Sequence, residues 1–302
     1  MKKKKWTIWS VLGVILVTLF AVMCLTPLIY MILVSFTDSE SLYIKLSDIH
    51  PSLSNYYYAI FERNFGRALW NSVVTVIGSC LLVDIVASMA GYGFAKKPIP
   101  GKETIFQGYL ATMMIPGQVT LIPMFLMINA LGWTNTYRAL ILPMVGAFGI
   151  FLMRQFMEGL PNELLEAAEI DGCGEVRRFV TIVLPLVQPA LITLTIFTFN
   201  GAWNNFLWPL IINTRSSMHV LTITMATLSS NQTTNYGMVM AGATLTFVFP
   251  FLLYVFLQKQ FVEGVAMGGV KGCSRRGSDW GAAPNPGREH CSLHPFFASR
   301  WF

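Results

Sequence analysis

The sequence is poor in charged residues. Only 12% of its 302 residues are Asp, Glu, Lys or Arg, whereas 54% are hydrophobic. Soluble globular proteins carry about 25% charged residues, and they need polar side chains to cover their surface. The apolar residues also form long blocks. Together these features exclude disorder, a coiled coil and an ordinary cytosolic enzyme, and they indicate an integral membrane protein.

The residue types that build catalytic and metal centres are also scarce. The chain has four histidines and five cysteines, and none of them has the spacing of a known zinc site. Cys24 and Cys80 lie inside apolar blocks, which argues against a disulfide framework. The histidines lie outside these blocks and do not pair with a candidate nucleophile. We therefore predict no metal site and no catalytic residue, and we disfavour a membrane-embedded enzyme.

Six apolar blocks are long enough to cross a membrane as helices, which requires about 20 residues each. They predict an all-α, polytopic membrane protein whose spans lie at about 9–36, 71–95, 105–130, 138–156, 186–207 and 238–257. The first block is longer than the core of a signal peptide and no cleavage site follows it. Residues 1–8 are therefore expected to precede an uncleaved span.

The basic residues predict the orientation. With the N-terminus inside, 16 of the 21 Lys and Arg residues fall in inner segments and five in outer ones, as the positive-inside rule requires. An even number of spans then leaves both termini in the cytoplasm. The net charge of +6 is therefore an orientation signal, and no nucleic-acid partner is expected.

Several predicted spans contain helix-breaking residues. Pro116, Gly117 and Pro123 are expected to interrupt the third span, and Pro143 and Gly146 the fourth. Interrupted spans are tolerated where protein or a cavity satisfies the freed backbone groups. They suit alternating access, although they also occur as plain packing kinks.

The segment 158–185, between the fourth and fifth spans, has the most informative pattern. Pro161 and the LLEAAEI that follows predict one helix, Asp171-Gly172 a left-handed end, and Gly174 the start of a second helix. Pro185 predicts a break before the fifth span. Composition alone fits a solvated connecting loop equally well.

Residues 166–185, EAAEIDGCGEVRRFVTIVLP, match the pattern EAA-x3-G-x9-I-x-LP without a gap. The matching positions are Glu166, Ala167, Ala168, Gly172, Ile182, Leu184 and Pro185. The segment resembles the signature of the permease subunits of bacterial ABC importers. ELLEAAEIDG, which includes Asp171, and the segments GAWNNFLWPLI and QFVEGVAMGGVKG are similar to the sugar-importing branch, and the resemblance covers roughly residues 8–272.

This resemblance implies a type I importer permease fold and a division of labour between subunits. Segment 158–185 would contain a coupling helix that docks on a cytoplasmic ATPase dimer, with Glu166 as a polar contact and Gly172 as a hinge. ATP and Mg²⁺ would bind that ATPase and no cofactor would bind this chain, which lacks a G-x-x-x-x-G-K-[ST] segment. The other implied partners are a homologous second permease, an extracytoplasmic solute-binding protein and the lipid of the bacterial cytoplasmic membrane.

Two sets of polar residues are candidates for the solute pathway. Asp84 lies deep in the second span, where an unpaired charge costs about 2.5–3.5 kcal/mol. It is expected either to contact the solute or, as we favour, to hydrogen-bond a neighbouring helix. The second set combines amides with an indole, which suits a sugar pocket but also joins membrane helices; it contains Asn200, Trp203, Asn204 and Asn205.

The sequence leaves the solute open. A sugar or oligosaccharide is the leading hypothesis, and a glycerol phosphate ester is an alternative for the same fold. A self-contained secondary transporter would need several intramembrane ion-coupling groups, and Asp84 is a single acid. Residues 258–272 continue the resemblance. Residues 273–302 depart from it, are rich in Gly, Pro, Ser and Arg, and predict a disordered tail.

Overall fold

The computed structural model describes residues 8–37, 51–230 and 235–269. Every regular element in these ranges is helical, which agrees with the all-α prediction. The predictions for the N-terminal segment, for part of the first outer segment and for the tail 273–302 lie outside the described residues.

Three helices are long and apolar enough to cross a membrane without interruption. They are α1 (Ile8–Ser35), α3 (Phe65–Lys96) and α14 (Tyr236–Gly269). Between the first two, a short helix α2 (Ser54–Tyr57) continues into a π-helical turn at Tyr58–Glu62. The sixth span was predicted to end near residue 257, but α14 continues to Gly269 and includes most of segment 258–272.

Two further predicted spans are pairs of helices that meet at a bend. The pairs meet at 104° and 43°. The first joins α4 (Lys102–Ala111) to α5 (Gly117–Ala130), and the second joins α6 (Tyr137–Ile141) to α7 (Ala147–Glu158). Short 3-10 turns, Thr112–Met114 and Leu142–Met144, extend the first helix of each pair. The helices that cover the third and fourth predicted spans are therefore interrupted, as expected near Pro116 and Gly146.

The bends have local causes. Pro116 disfavours helical backbone at the residue before it, and Ile115 is accordingly extended at φ −83° and ψ 120°. Gly146 is extended at the second bend, with φ −121° and ψ 171°. Pro123, in contrast, lies inside α5 without ending it. The predicted interruption at Pro123 is therefore wrong.

The segment between the fourth and fifth predicted spans is helical in short pieces. It contains α8 (Asn162–Ile170), α9 (Glu175–Arg178), a π-helical turn at Phe179–Val183 and α10 (Leu184–Leu186). The stretch Glu175–Leu186 then meets α11 (Gln188–Trp203) at 77°. The fifth span was predicted to reach residue 207, but α11 ends at Trp203 and a separate helix α12 (Leu207–Ile212) follows.

α3 is the central helix of the fold. It packs against α7, α11 and α13 (Leu221–Ser230). The contact with α7 is close: a Cβ atom on Gly91 would lie 2.7 Å from Cβ of Met153 and 3.0 Å from the backbone nitrogen of Arg154. Such close approach is how helices associate in a membrane, where apolar burial alone does not drive them together. α1 lies apart from this core and packs against α14.

Candidate functional site

The predicted helix–turn–helix of segment 158–185 is present. α8 ends at Ile170, and Gly172 adopts the left-handed conformation with φ +75°. The turn is closed by the amide of Cys173, which donates to the carbonyl of Ala168 at 2.9 Å, and by that of Gly172, which donates to the carbonyl of Glu169 at 3.0 Å. α9 then begins at Glu175, directly after Gly174. A residue other than glycine at position 172 is strained because Cβ crowds the backbone in this region.

The residues of the matched pattern have different environments. Glu166, Ala167, Asp171 and Gly172 are exposed. Ala168, in contrast, is 7% exposed and packs inside the chain. Ile182 and Leu184 are half-buried beside the buried Val183, whereas Pro185 is exposed. The turn therefore presents a small surface that combines acids and Ala167 with apolar Ile170, which is 87% exposed.

A set of charged and hydroxyl side chains joins this segment to the end of α3. We call it the inner network because it lies on the predicted cytoplasmic side; its members are Tyr92, Lys97, Glu169, Glu175 and Arg178. Oε1 of Glu175 accepts hydrogen bonds from Lys97 Nζ at 2.5 Å and from Tyr92 Oη at 2.5 Å. The other oxygen, Oε2, accepts from Arg178 at 2.9 Å. These bonds from Lys97 and Tyr92 hold the pKa of the Glu175 carboxyl below its ordinary value.

Arg178 links the two helices of the turn. Its guanidinium donates to Oε2 of Glu169 at 2.6 Å, on α8, and to Glu175, on α9. A third hydrogen bond, at 3.4 Å, reaches the carbonyl of Leu165. The guanidinium therefore spans the Gly172 turn, and a cavity of about 590 Å³ lies between this turn and the end of α3.

Two more cations fix neighbouring elements. Lys96 Nζ donates to the carbonyl of Leu160 at 2.6 Å and to Oδ1 of Asn162 at 2.8 Å, at the start of α8. Arg154, on α7, is buried; it pairs with Glu103 at 2.7 Å and with Glu158 at 2.8 Å. The contacts of Lys96 with Asn162 and of Arg154 with Glu103 join residues 66 and 51 positions apart and have no sequence signal.

Asp84 forms a bond between helices. Oδ2 accepts a hydrogen bond from Oγ1 of Thr195, on α11, at 2.7 Å. Oδ1 is buried without a hydrogen-bond partner among the described residues. A bond to a neighbouring helix is the role that we favoured from the sequence, and the free oxygen leaves contact with a solute as the other role.

The four residues near the end of α11 do not form one pocket. Trp203 is 4% exposed and stacks on the Phe249 ring, with centroids 4.8 Å apart, so it belongs to the core. Asn204 donates from Nδ2 to Oδ1 of Asn200 at 2.7 Å, and both side chains are exposed. Asn200 lines a cavity of about 310 Å³ between α11 and α14. Asn205 lies beyond the helix, where its carbonyl accepts from Thr222 at 2.8 Å.

Neutral hydrogen bonds hold the opposite end of α3. We call them the outer network; it consists of Asn71, Ser72, Tyr137 and the backbone of residues 217–221. Nδ2 of Asn71 donates to the carbonyls of Ser217 and His219 at 2.9 Å each, and its Oδ1 accepts from Tyr137 at 2.7 Å. Ser72 accepts from the amide of Leu221 at 2.8 Å. Both ends of α3 are thus attached to connecting segments.

Comparison with known proteins identifies the family. Residues 85–266 match the family described as the binding-protein-dependent transport system inner membrane component. The chain belongs to this family. The match includes α7, the Gly172 turn and α11.

No group of three or more His, Cys, Asp or Glu side chains that could hold a metal ion occurs in the described part of the chain.

Characterised relatives cover nearly the whole chain. The arabinooligosaccharides transport system permease protein AraQ of Halalkalibacterium halodurans is 36% identical over 90% of this chain and 100% of its own length. The diacetylchitobiose uptake system permease protein NgcG of Streptomyces coelicolor is 32% identical, over 84% of this chain and 86% of its own length. The lactose transport system permease protein LacG of Rhizobium radiobacter is 31% identical, over 84% and 93%.

A solved structure shows the same fold. It is a bacterial ABC transporter involved in the import of the acidic polysaccharide alginate, and one of its chains is similar with a TM-score of 0.72. The sequence identity is 22%, and the match covers 86% of this chain and 99% of that one. The protein is therefore a helical membrane protein with an ABC permease fold, and it is a transport component rather than an enzyme.

Proposed function

We propose that this chain is the transmembrane permease subunit of a bacterial ABC importer that moves a sugar or oligosaccharide into the cytoplasm. The single observation that carries this proposal is the Gly172 turn, where Glu166, Ala167 and Gly172 of the matched pattern lie on an exposed helix end. The named solutes of the relatives, an arabinooligosaccharide, diacetylchitobiose and lactose, support the sugar class. ATP and Mg²⁺ bind the separate ATPase, and this chain binds no cofactor.

The proposed topology has six spans and cytoplasmic termini. Three continuous helices, the two bent pairs of the third and fourth spans, and α11 supply the spans. The distribution of Lys and Arg supports the orientation, because 16 of the 21 fall on the inner side. The inner network then lies at the cytoplasmic surface of the membrane, where an ATPase dimer can reach it.

The coupling surface consists of the exposed end of α8 and the turn that follows. Glu166, Ala167, Asp171 and Gly172 face outward and contact the ATPase in this proposal. Ala168, Ile182 and Leu184 pack inside the chain beneath this surface. Pro185 lies at the end of the segment, shortly before α11 begins. Exposed apolar Ile170 suits a protein partner better than it suits water, because docking removes its surface from solvent.

The solute pathway in this subunit is proposed to pass along α11. Asn200 and Asn204 offer amide groups on an exposed face of the helix, and Asn205 and Asp84 offer further polar atoms. Trp203 is buried and stacks on the Phe249 ring in the present conformation, so it contacts a solute only after the helices around it rearrange. A homologous second permease supplies the opposite wall, and a solute-binding protein delivers the solute from outside.

Cross-linking to the ATPase subunit tests the coupling surface. In a chain whose five native cysteines are replaced, Ala167→Cys is expected to form a cross-link with the ATPase subunit of the assembled importer. Ala168→Cys is the matched control, since this neighbouring position is buried. Absence of a cross-link at position 167 in an assembled complex, or equal cross-linking at both positions, would contradict the proposal.

Uptake by the reconstituted importer tests the solute class. The complete complex in proteoliposomes is supplied with its binding protein and with labelled oligosaccharides or with glycerol phosphate esters. ATP-dependent uptake of an oligosaccharide is the expected result. Uptake of the phosphate esters alone would retain the importer and overturn the sugar assignment.

A further inference from the structure

The segment 162–178, which contains α8 and α9, is connected to the spans in two ways. One connection is covalent: residues 159–161 join α8 to α7, and residues 179–187 join α9 to α11. The other is the inner network, which reaches the end of α3 through side chains. The two connections differ in geometry, and this difference indicates which of them transmits motion.

The covalent connection is irregular. After α9 the chain forms a π-helical turn at Phe179–Val183, and Val187 then leaves the helical conformation with φ −96° and ψ 11°. The two helical stretches on either side of this residue meet at 77°. Because π turns and breaks interrupt the regular i to i−4 hydrogen bonds, they are the places where a helix bends. A displacement of α8 can therefore be absorbed here before it reaches α11.

The side-chain connection leads into a continuous helix. Glu175 accepts hydrogen bonds at 2.5 Å from Tyr92, in the last turns of α3, and from Lys97, directly after it. α3 has 32 residues and no break. The ring of Tyr92 also packs against Phe179, with centroids 5.2 Å apart. Charge-assisted bonds of this length are stronger than neutral ones and fix the relative position of the two elements.

Arg178 makes the two helices of the turn move together. It holds Glu169 on α8 at 2.6 Å and Glu175 on α9 at 2.9 Å, across the Gly172 turn. Lys96 adds a bond to Asn162 at the start of α8. Lys96 thereby attaches the start of α8 to the end of α3. Arg178 and Glu175 attach the turn that follows α8 to the same place.

α3 in turn reaches the centre of the fold. Gly91 packs against the backbone of α7, so that α3 and α7 cannot slide without losing this contact. Farther along, Asp84 bonds Thr195 on α11. Displacing the inner end of α3 thus displaces groups that face the proposed solute pathway.

We infer that Glu175 and Arg178 are positioning residues that transmit the motion of α8 into α3, with Lys97 and Tyr92 as the receiving groups. This inference rests on the proposed function. It assigns a role to two residues outside the seven matched positions, and it places the side-chain route into α3 ahead of the chain route into α11 in the response to the ATPase.

The test measures coupling in the complete importer. Uptake and ATP hydrolysis are recorded in the same proteoliposomes, and the result is the amount of solute moved per ATP. Glu175→Gln and Arg178→Gln are expected to lower this ratio about fivefold or more, the lower end of typical coupling between sites. Glu175→Asp keeps the charge and is expected to restore part of the ratio.

Control variants remove charges of the same sign from the same segment. Glu163→Gln removes an acid from α8, and Arg177→Gln removes a neighbouring exposed cation outside the inner network. Both are expected to keep the wild-type ratio. This readout separates positioning from folding, because a misfolded subunit loses uptake and stimulated ATP hydrolysis together.

The outcomes are distinguishable. Wild-type solute per ATP in both Glu175→Gln and Arg178→Gln overturns the inference and leaves the proposed function intact. A wild-type complex that neither imports a solute nor hydrolyses ATP in response to the binding protein overturns the proposed function instead. Should the Glu175 variant fail to assemble, Lys97→Gln, which keeps the Glu175–Arg178 pair, decides the matter: an unchanged ratio overturns the inference and a lowered one supports it.

Discussion

The two ends of α3 are attached to connecting segments by different chemistry. At the inner end, Glu175 and Lys97 form an ion pair whose side chains are 42% and 34% exposed. At the outer end, Asn71 is fully buried and makes neutral hydrogen bonds. Half-exposed ion pairs contribute little to stability, about 0–1 kcal/mol. A buried amide that loses its partners costs about 1–3 kcal/mol.

This difference suits the proposed roles of the two ends. The inner contacts hold α8 against the end of α3 at small energetic cost, and a partner subunit can move the two together with the energy of ATP. The outer contacts hold residues 217–221 against α3 and resist separation. The inner end of α3 is therefore the end that moves with the ATPase, and the outer end is the end that stays fixed to residues 217–221.

The largest expected effect comes from the inner turn. Gly172→Pro cannot adopt φ +75° and also removes the amide that bonds Glu169. We expect normal membrane insertion and loss of uptake, measured in cells that express the complete importer. Gly174→Ala is the control, because φ is −63° there and no atom lies within 4 Å of the added Cβ. Full uptake by the Gly172 variant would show that the turn is not required.

The outer end is tested by Asn71→Ala. This change leaves the carbonyls of Ser217 and His219 without their donor and is expected to destabilise the protein by about 1–3 kcal/mol. A lower melting temperature of the purified protein in detergent is the measurement. The exposed Asn129 provides a control, since Asn129→Ala should leave the melting temperature unchanged. An equal melting temperature of the two variants would show that the hydrogen bonds of Asn71 do not stabilise the outer end of α3.

Asp84, between the two ends, is expected to show a smaller effect. Asp84→Asn keeps an oxygen that can accept the Thr195 hydrogen bond, whereas Asp84→Ala does not. If the bond between helices is the role of this residue, the Asn variant assembles normally and keeps its solute preference. A folded Asn variant with an altered preference, measured by competition between labelled solutes, would show contact with the solute instead.

The smallest expected effect is that of salt on the local stability of the inner end of α3 and its contacts. Raising ionic strength from 0.1 to 1 M shortens the screening length from about 10 to about 3 Å. Hydrogen exchange should then become slightly faster in residues 162–178, held by charges, and stay unchanged in 217–221, held by neutral bonds. Faster exchange in the outer segment, or an equal response of both, would contradict the assignment of chemistry to the two ends.

Features that depend on local sequence could be predicted. The turn at Gly172 follows from a left-handed position that glycine fills, and the bend at Pro116 follows from steric conflict with the residue before proline. Long apolar blocks predict spans because a helix must be apolar over the thickness of the membrane, and three of these blocks coincide with uninterrupted apolar helices. Pro123 was misjudged, since a proline inside a span need not end the helix when its surroundings satisfy the freed backbone groups.

Features that depend on packing between distant segments could not be predicted. Glu175 and Tyr92 are 83 positions apart, and Asn71 and His219 are 148 apart. Neither pair has a sequence signal. Trp203, which is a candidate for the solute pathway, packs on Phe249 of α14, and this contact has no sequence signal either. Which face of a uniformly apolar helix becomes core is decided by its neighbours and not by its own periodicity.

We expect α8 and α3 to move as one body when the ATPase closes. Pulsed electron paramagnetic resonance on the assembled importer tests it, with spin labels at Glu163 on α8, at Ile99 after α3 and at Gln188 at the start of α11. Between the nucleotide-free and ATP-bound states, we predict an unchanged distance from 163 to 99 and a changed distance from 163 to 188. A changed 163–99 distance with a constant 163–188 distance would show that motion passes along the chain into α11, and would contradict this account.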